Sequence, residues 1–269
     1  MKLKNRGFSL TEVLLSVGVL AVGMIFIAGV FPVGIHYTTI AIEQTKAAIV
    51  ADEAFAKIRL YAVGNPSRLI DLSKLHTDEL GPYRSVEFED IFPAAEEIDP
   101  NEFTYPSAGT DISEKRYCWW ALCRVTTEYH PISNPNPDVQ VTVFVCRKVG
   151  RNLKYPEPPE GRGEISWPRP VKVGVEDAGA KDTLRIRPRP GASGDERFIN
   201  DGSIIVDDRT GRIYRVLERY ADEPDTILLD KDWDDTPPGD SPRIVWVVPP
   251  PVGGGRNPCI AVYQRTMSF

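Results

Sequence analysis

The chain has 269 residues, with 32 basic against 38 acidic side chains and a formal net charge of −6, a balance that argues against broad affinity for nucleic acid or an anionic membrane surface. Beyond its apolar N-terminal stretch, roughly 200 residues remain, too many for a tail and enough for one or two packed units. Proline is abundant, 24 residues where a usual share of ~5% would give about half as many, which suggests a β-rich and loop-rich body.

The N-terminus carries Lys2, Lys4 and Arg6 and no acidic residue before Glu12. After Glu12, no Asp, Glu, Lys or Arg occurs until Glu43, and residues 13–31 are mostly apolar. A stretch of that length matches what a hydrocarbon core of ~30 Å requires of a helix. The basic residues on one flank place the N-terminus in the cytoplasm and the body outside, by the positive-inside rule. A secretory signal would have a shorter apolar core and an Ala-x-Ala site after it; neither is present, so the segment reads as retained. One charge stands out. A carboxylate costs ~2.5–3.5 kcal/mol at a bilayer centre and less near the interface, so Glu12 calls for a partner.

The stretch Gly7-Phe8-Ser9-Leu10-Thr11-Glu12-Val13 resembles the prepilin processing site of the type IV pilin and type II secretion pseudopilin family. The following Val19-Leu20-Ala21-Val22-Gly23-Met24 is similar to minor pilins of the PilV-like branch. The resemblance covers about residues 1–60. It implies that Gly7 ends a leader (residues 1–7), that a prepilin peptidase cuts after it, and that Phe8 becomes a methylated N-terminus. Removal of the leader takes the formal charge from −6 to −9 before the new amine is counted. Glu12 of one subunit then pairs with the Phe8 amine of a neighbour, neutralising two charges that are each costly in low dielectric. Within one helix the same amine lies one turn from Glu12, so an intramolecular pair competes. The alternative for Glu12 is a carboxylate snorkelling to headgroups in a plain anchor. Many major pilins carry a proline late in the apolar run where this chain has Gly29. Here Pro32 and Gly34 follow, and a kink or local melting around residues 29–34 is expected.

Past the membrane, Ile40, Ala47, Ala51, Phe55, Ile58 and Ala62 recur at spacings of mostly three and four, which predicts an apolar stripe along a continuing helix. Val63-Gly64-Asn65-Pro66 supplies the stop. The helix is therefore expected over 8–62, transmembrane over 8–31 and amphipathic over 32–62. Residues 64–116 are hard to read, with a short helix expected between Leu69 and Leu80. Strands are expected at 117–129 and 139–149, forming an antiparallel hairpin. By the family resemblance, the helix packs on such a meander, with Phe55, Ile58, Trp119 and Trp120 as its core. A pilin-like globular domain thus spans 63–180. Further strands at 183–187, 203–206, 212–218, 226–229 and 243–248, with Asp207-Asp208-Arg209-Thr210-Gly211 as a hairpin turn, predict an inserted small β-barrel or sandwich over 181–249. Residues 250–269 should hold a C-terminal strand, 259–264, returning to the first sheet. The fold class is α+β.

Four constellations remain. Cys118 and Cys123 point to opposite faces of one strand and should not pair. The hairpin register brings Cys118 close to Cys146, a possible disulfide in an oxidising compartment, leaving Cys123 and Cys259 open; buried free thiols are the alternative. The Cys-x4-Cys spacing is not that of a zinc knuckle. Asp230, Asp232 and Asp234, with Asp235 and Asp240, form a weak calcium candidate, since some pseudopilins bind that ion. The segment lacks the glycine and closing glutamate of an EF-hand, and a solvated acidic turn competes. Arg185, Arg187 and Arg189 suit internal ion pairs better than phosphate contacts. His36, His76 and His130 lie in no hydrolase motif, so no catalysis and no cofactor are expected.

The resemblance implies a non-enzymatic minor pilin or pseudopilin of the inner membrane, later in a pilus or pseudopilus. Its partners would be the prepilin peptidase, sister pilins, an inner-membrane platform protein and an assembly ATPase. A membrane-anchored extracytoplasmic binding or adhesion module, with a ligand held by the inserted β domain, is the other reading.

Overall fold

A computed structural model describes residues 9–63, 85–88, 100–107, 115–126, 138–150, 152–157, 164–187, 195–234 and 243–268. Gly7, Phe8, the expected cap at residues 64–66 and the short helix at 69–80 lie outside these. The architecture is α+β: one long N-terminal helix, an antiparallel sheet and a closed six-stranded barrel.

Helix α1 spans Leu10–Val63. It runs through Gly29, Pro32 and Gly34 without interruption, so the expected local melting is absent. Proline removes one hydrogen bond from the ladder, and the apolar residues around it offer the chain no better-solvated alternative. Thr38 and Thr39 donate their hydroxyls to the Gly34 and Ile35 carbonyls at 2.8 Å, adding polar satisfaction just past the proline. Residues 10–42 are mostly apolar and, apart from half-buried Ile40, exposed, and the helix is long and apolar enough to cross a membrane.

From Ala47 onward the helix belongs to a second compact unit. Ala47, Val50, Ala51, Ala54, Phe55 and Ile58 are buried, a spacing of three and four that puts them on one face. The alanines let the backbone approach the sheet closely while Phe55 and Ile58 fill the space around them. Lys57 fastens this half: its ammonium meets Glu53 at 3.2 Å, and in Glu102 both the carboxylate at 2.9 Å and the carbonyl at 2.8 Å.

The sheet holds β1 (Val86–Glu87), β2 (Thr104–Tyr105), β3 (Tyr117–Val125), β4 (Asp138–Arg147) and β13 (Cys259–Ser268). Both β1 and β2 pair with one edge of β3; then come β4 and β13. The expected hairpin is present, and the C-terminal strand does return to this sheet, running antiparallel along β4. The sequence of β3, Tyr-Cys-Trp-Trp-Ala-Leu-Cys-Arg-Val, shows no alternation because both faces are covered. A strand buried on both faces reads as a continuous apolar run. Phe103 lies between Trp119 and Trp120, its ring 4.9 and 4.7 Å from theirs. The Trp120 indole donates to the Pro168 carbonyl at 2.6 Å, and Arg169 stacks 4.0 Å over its ring.

After a two-stranded ribbon, β5 (Tyr155–Pro156) and β6 (Glu164–Ile165), the chain builds the barrel. Its strands are β7 (Val171–Asp177), β8 (Thr183–Arg187), β9 (Ile204–Asp207), β10 (Ile213–Arg219), β11 (Thr226–Leu229) and β12 (Arg243–Val247), closed in the order β10-β11-β8-β7-β12-β9. The inserted module thus begins near 171, ten residues before the expected 181, because β7 is part of the ring. Its Val-Lys-Val-Gly-Val alternation was the signal. Closure removes the exposed edges that an open six-stranded sheet would present. Six strands enclose less room than the eight that side chains just fill, and the interior is packed by residues including Val173, Leu184, Tyr214, Val216, Ile227 and Val245.

The barrel docks on the sheet through its outer wall. Val206, Trp246 and Val248 belong to the sheet's core, not the barrel's. The turn between β9 and β10 completes the joint: Arg124 donates to the Arg209 carbonyl, and Gln264 donates to the Gly211 carbonyl. Gly211 has φ +69°, and a Cβ there would strike Gln140 Oε1 and stand 2.9 Å from Arg124 Nε. Left-handed backbone costs a non-glycine residue ~1–2 kcal/mol, and the atoms a Cβ would meet are the ends of flexible side chains, which can shift aside. Gly211→Ala should therefore destabilise the body by roughly 1–2 kcal/mol, read as a lower urea midpoint at unchanged slope. An unmoved midpoint would show that the turn does not hold the joint.

Candidate functional site

Glu12 lies in the first turn of α1, and the local sequence places it there. Ser9 precedes the first helical residue, and its carbonyl accepts the Glu12 and Val13 amides at 3.0 and 3.2 Å. The Glu12 carboxylate reaches back to accept the Ser9 backbone N–H at 3.0 Å. This is half of a capping box, the Ser-x-x-Glu arrangement in which the third helical residue satisfies the cap's own amide. The Ser9 hydroxyl bonds Thr11 Oγ1 at 2.7 Å instead of completing the box, and the Ser16 hydroxyl donates to the Glu12 carbonyl at 2.7 Å. The helix dipole favours a carboxylate at this end. Sequence reasoning considered the Phe8 amine as an intramolecular competitor for Glu12 and missed the Ser9 amide. The Ser-x-x-Glu spacing was the signal. Around Glu12 the helix surface is exposed and apolar: Leu10, Val13, Leu14, Leu15 and Val17 are all at least half exposed.

The cysteines fall into two environments. Cys118 on β3 is opposite Cys146 on β4, as the hairpin register predicted, and Cys259 on β13 is opposite Cys146 on its other side. Three thiols thus form one rung across three adjacent strands. All four cysteines are free thiols; Cys118, Cys123 and Cys146 are buried and Cys259 is half-buried. Burial raises the Cys146 thiol well above its ordinary value, and hydrogen bonding with Cys118 and Cys259 adds to this. Cys123 stands apart and burial pushes it up to about 12, so it is protonated and inert at neutral pH. Sequence reasoning left Cys259 open because it named the sheet to which the last strand returns but not the edge.

Among the described residues, Asp230, Asp234, Arg185 and Arg187 of the acidic and basic clusters have internal partners. Asp230 accepts the Arg215 amide at 2.9 Å. Asp234 pairs with Arg212 at 2.8 Å, and its carbonyl accepts from Arg243; Asp232 is exposed. Among the described residues, no group of three or more His, Cys, Asp or Glu is arranged to hold a metal ion. Asp235 and Asp240 lie outside them. Arg185 pairs with Glu223 and Asp225, and Arg187 with Glu176 at 2.6 Å; Arg189 is outside the described residues. The barrel's outer surface carries a shallow depression of about 350 Å³ lined by Asn200, Asp201, Arg219, Tyr220, Ala221 and Pro224. Its polar groups bond each other: Asp201 accepts the Arg219 amide at 2.7 Å, and the Arg219 guanidinium donates to Asn200 and to the Pro224 carbonyl.

The joint between barrel and sheet contains two buried carboxylates. Asp207 accepts from the Thr210 amide at 3.1 Å and from its hydroxyl at 2.5 Å, with Arg243 at 3.5 Å. Asp208 accepts the Trp246 indole N–H at 2.6 Å, while its carbonyl accepts the Ser85 amide and hydroxyl at 3.1 Å. Burial lowers the Arg124 guanidinium from its ordinary value, opposed by the charges of Asp207 and Asp208. These groups fix one body on another and offer no open position to a reactant. Comparison with protein-family models, curated proteins and solved structures gave no match.

Proposed function

We propose that this chain is a minor pilin or pseudopilin, a non-enzymatic subunit processed after Gly7 and assembled through its N-terminal helix. The observation that carries the proposal is Gly7-Phe8 followed, at the mature chain's fifth position, by Glu12, the single charge at the head of an apolar run that continues to Glu43. In a plain anchor a carboxylate there does no more than cap its own helix, whereas an assembling helix gives it a second use: a fixed negative charge for the amine that cleavage releases on a neighbour.

Three structural features support the reading. The first part of α1, residues 10–39, is exposed and mostly apolar, suited to lipid or to sister helices. The helix continues as an amphipathic segment buried on an antiparallel sheet. Glu12 is satisfied by one amide hydrogen bond, which an ion pair can replace with little rearrangement. The barrel then gives the subunit an outward contact surface, since its interior is full. The partners of this function are the prepilin peptidase, sister subunits, the platform protein and the assembly ATPase, with the body outside the cytoplasmic membrane.

Mass spectrometry of the protein from cells that possess the peptidase tests the reading. The expected mature chain begins at Phe8 with a methylated amine, lacking residues 1–7. A chain that retains Met1 in such cells would overturn it.

A further inference from the structure

The rung Cys118, Cys146, Cys259 marks the place where the barrel is inserted into the sheet. β4 ends at Arg147, one residue past Cys146, and the chain then leaves for the barrel; β13 begins at Cys259, where it comes back. The whole barrel, 171–247, lies between these two cysteines. Beside them, the Arg147 amide donates to the Pro258 carbonyl at 2.8 Å, tying the outgoing and returning chains together.

That bond also fixes the kind of pair each cysteine makes. With 147 and 258 hydrogen-bonded, Cys146 and Cys259 occupy the adjoining non-bonded position, where Cα atoms approach to ~4.5 Å. The Lys148 amide donates to the Arg116 carbonyl at 2.8 Å, so Cys118 and Cys146, two residues along each strand, occupy a hydrogen-bonded position with Cα atoms ~5.5 Å apart. A disulfide spans ~4.4–6.8 Å between Cα atoms, so either pair can be bridged. Two features favour Cys259. It is the half-buried member of the rung, open to an oxidant. It also begins the irregularity between Cys259 and Ala261, where the backbone can adjust to a bridge.

We propose that Cys146 and Cys259 form a disulfide clasp at the neck of the inserted barrel, and that Cys118 is the reserve partner of Cys146. Oxidation needs a disulfide oxidant, a small-molecule disulfide or an oxidoreductase. The Cys259 thiolate attacks one oxidant sulfur, forming a mixed disulfide and releasing one oxidant thiol. The Cys146 thiol then gives up its proton and attacks the Cys259 sulfur, releasing the second. Two protein thiols become one disulfide, and the oxidant's S–S bond becomes two thiols. A bridge from 146 to 259 closes a much longer loop than one from 118 to 146, and so constrains the unfolded chain more.

The test uses full-length protein in detergent micelles, oxidised with glutathione disulfide, quenched in acid, alkylated after unfolding and mapped by mass spectrometry without reduction. The expected product links the Cys146 and Cys259 peptides, with Cys118 and Cys123 alkylated. Cys118→Ala should leave that yield unchanged, and Cys259→Ala should move the link to Cys118 and Cys146. Four alkylated cysteines in the wild type, or a wild-type link between Cys118 and Cys146 alone, would overturn the proposal. Because the oxidant is supplied in the tube, neither result bears on where the protein resides or what it assembles with.

Discussion

Glu12→Gln should leave cleavage after Gly7 intact and cut incorporation into filaments by at least tenfold. The substitution is chosen because the observed capping role of Glu12 and its proposed role in assembly lie on one side chain. The carboxylate accepts the Ser9 amide at 3.0 Å, and the capping box accepts glutamine in place of glutamate at that position. Helix initiation is therefore kept. The negative charge is not, and in the proposed assembly a neighbour's Phe8 amine is left in an apolar setting without its counter-charge. Removing one partner of a buried ion pair typically costs ~3–5 kcal/mol, more than two decades in an association constant. Sheared filaments, quantified against the membrane pool in the same cells, read the effect. Incorporation equal to wild type would assign Glu12 to helix capping and remove its role in assembly. Glu12→Ala, which loses both roles, should be no better than Glu12→Gln if the charge is what matters.

The sequence announced this site because its physics is local. An apolar run, one carboxylate and a glycine before a phenylalanine are contiguous, and their meaning requires no tertiary contact. The hairpin of β3 and β4 was readable for the same reason, since β-branched and aromatic runs flank a turn-rich segment. Strands β8 and β11 were expected with the bounds they have, 183–187 and 226–229. What escaped was set by pairing between distant segments. β7 alternates as a half-buried strand should, yet it followed a proline-rich loop; it pairs with β8 just after it, while its other edge is closed only by β12, some seventy residues later. Cys259 became the neighbour of Cys146 only once β13 chose the β4 edge. Val50 and Ala54 lie beside the expected stripe of Ala47, Ala51, Phe55 and Ile58, and were missed because the buried face is wider than a single row.

The joint between barrel and sheet was the least legible part, and the reason is instructive. A barrel strand normally shows apolar residues inward and polar residues outward. β12 breaks that rule: Val245 and Val247 face the barrel interior while Trp246, between them, is also buried. β9 does the same with Ile205 inside and Val206 outside. Read alone, each is a continuous apolar run, which fits any doubly covered strand. Only the docked sheet explains why the outer residues are apolar. The consequence is functional, since an outer wall committed to the sheet holds the barrel in one orientation on the body that carries it. Whatever the barrel's remaining surface contacts, it is presented at a fixed angle.

Trp246→Ala should be the most destabilising single change in the body. The side chain is 1% exposed, its indole donates to Asp208 at 2.6 Å, and the Lys172 ammonium lies 4.8 Å from its ring centre. Truncating a buried tryptophan to alanine costs ~3–5 kcal/mol through lost burial and the cavity left behind, and here it also deprives a buried carboxylate of its indole donor. Trp246→Phe separates the two terms. It keeps most of the ring's packing and removes the N–H, so it should cost about 1–3 kcal/mol, the usual penalty for withdrawing one partner of a buried hydrogen bond. Urea titration followed by far-ultraviolet circular dichroism measures both, with the wild type expected to unfold in one transition. Because Val206 and Val248 remain but the centre of the contact is gone, the alanine variant should show two transitions, the barrel and the sheet no longer unfolding together. The barrel's own interior does not include Trp246, so it should still melt cooperatively. An alanine variant that unfolds in one transition within ~1 kcal/mol of wild type would mean that the polar turn around Gly211, and not this indole, fastens barrel to sheet.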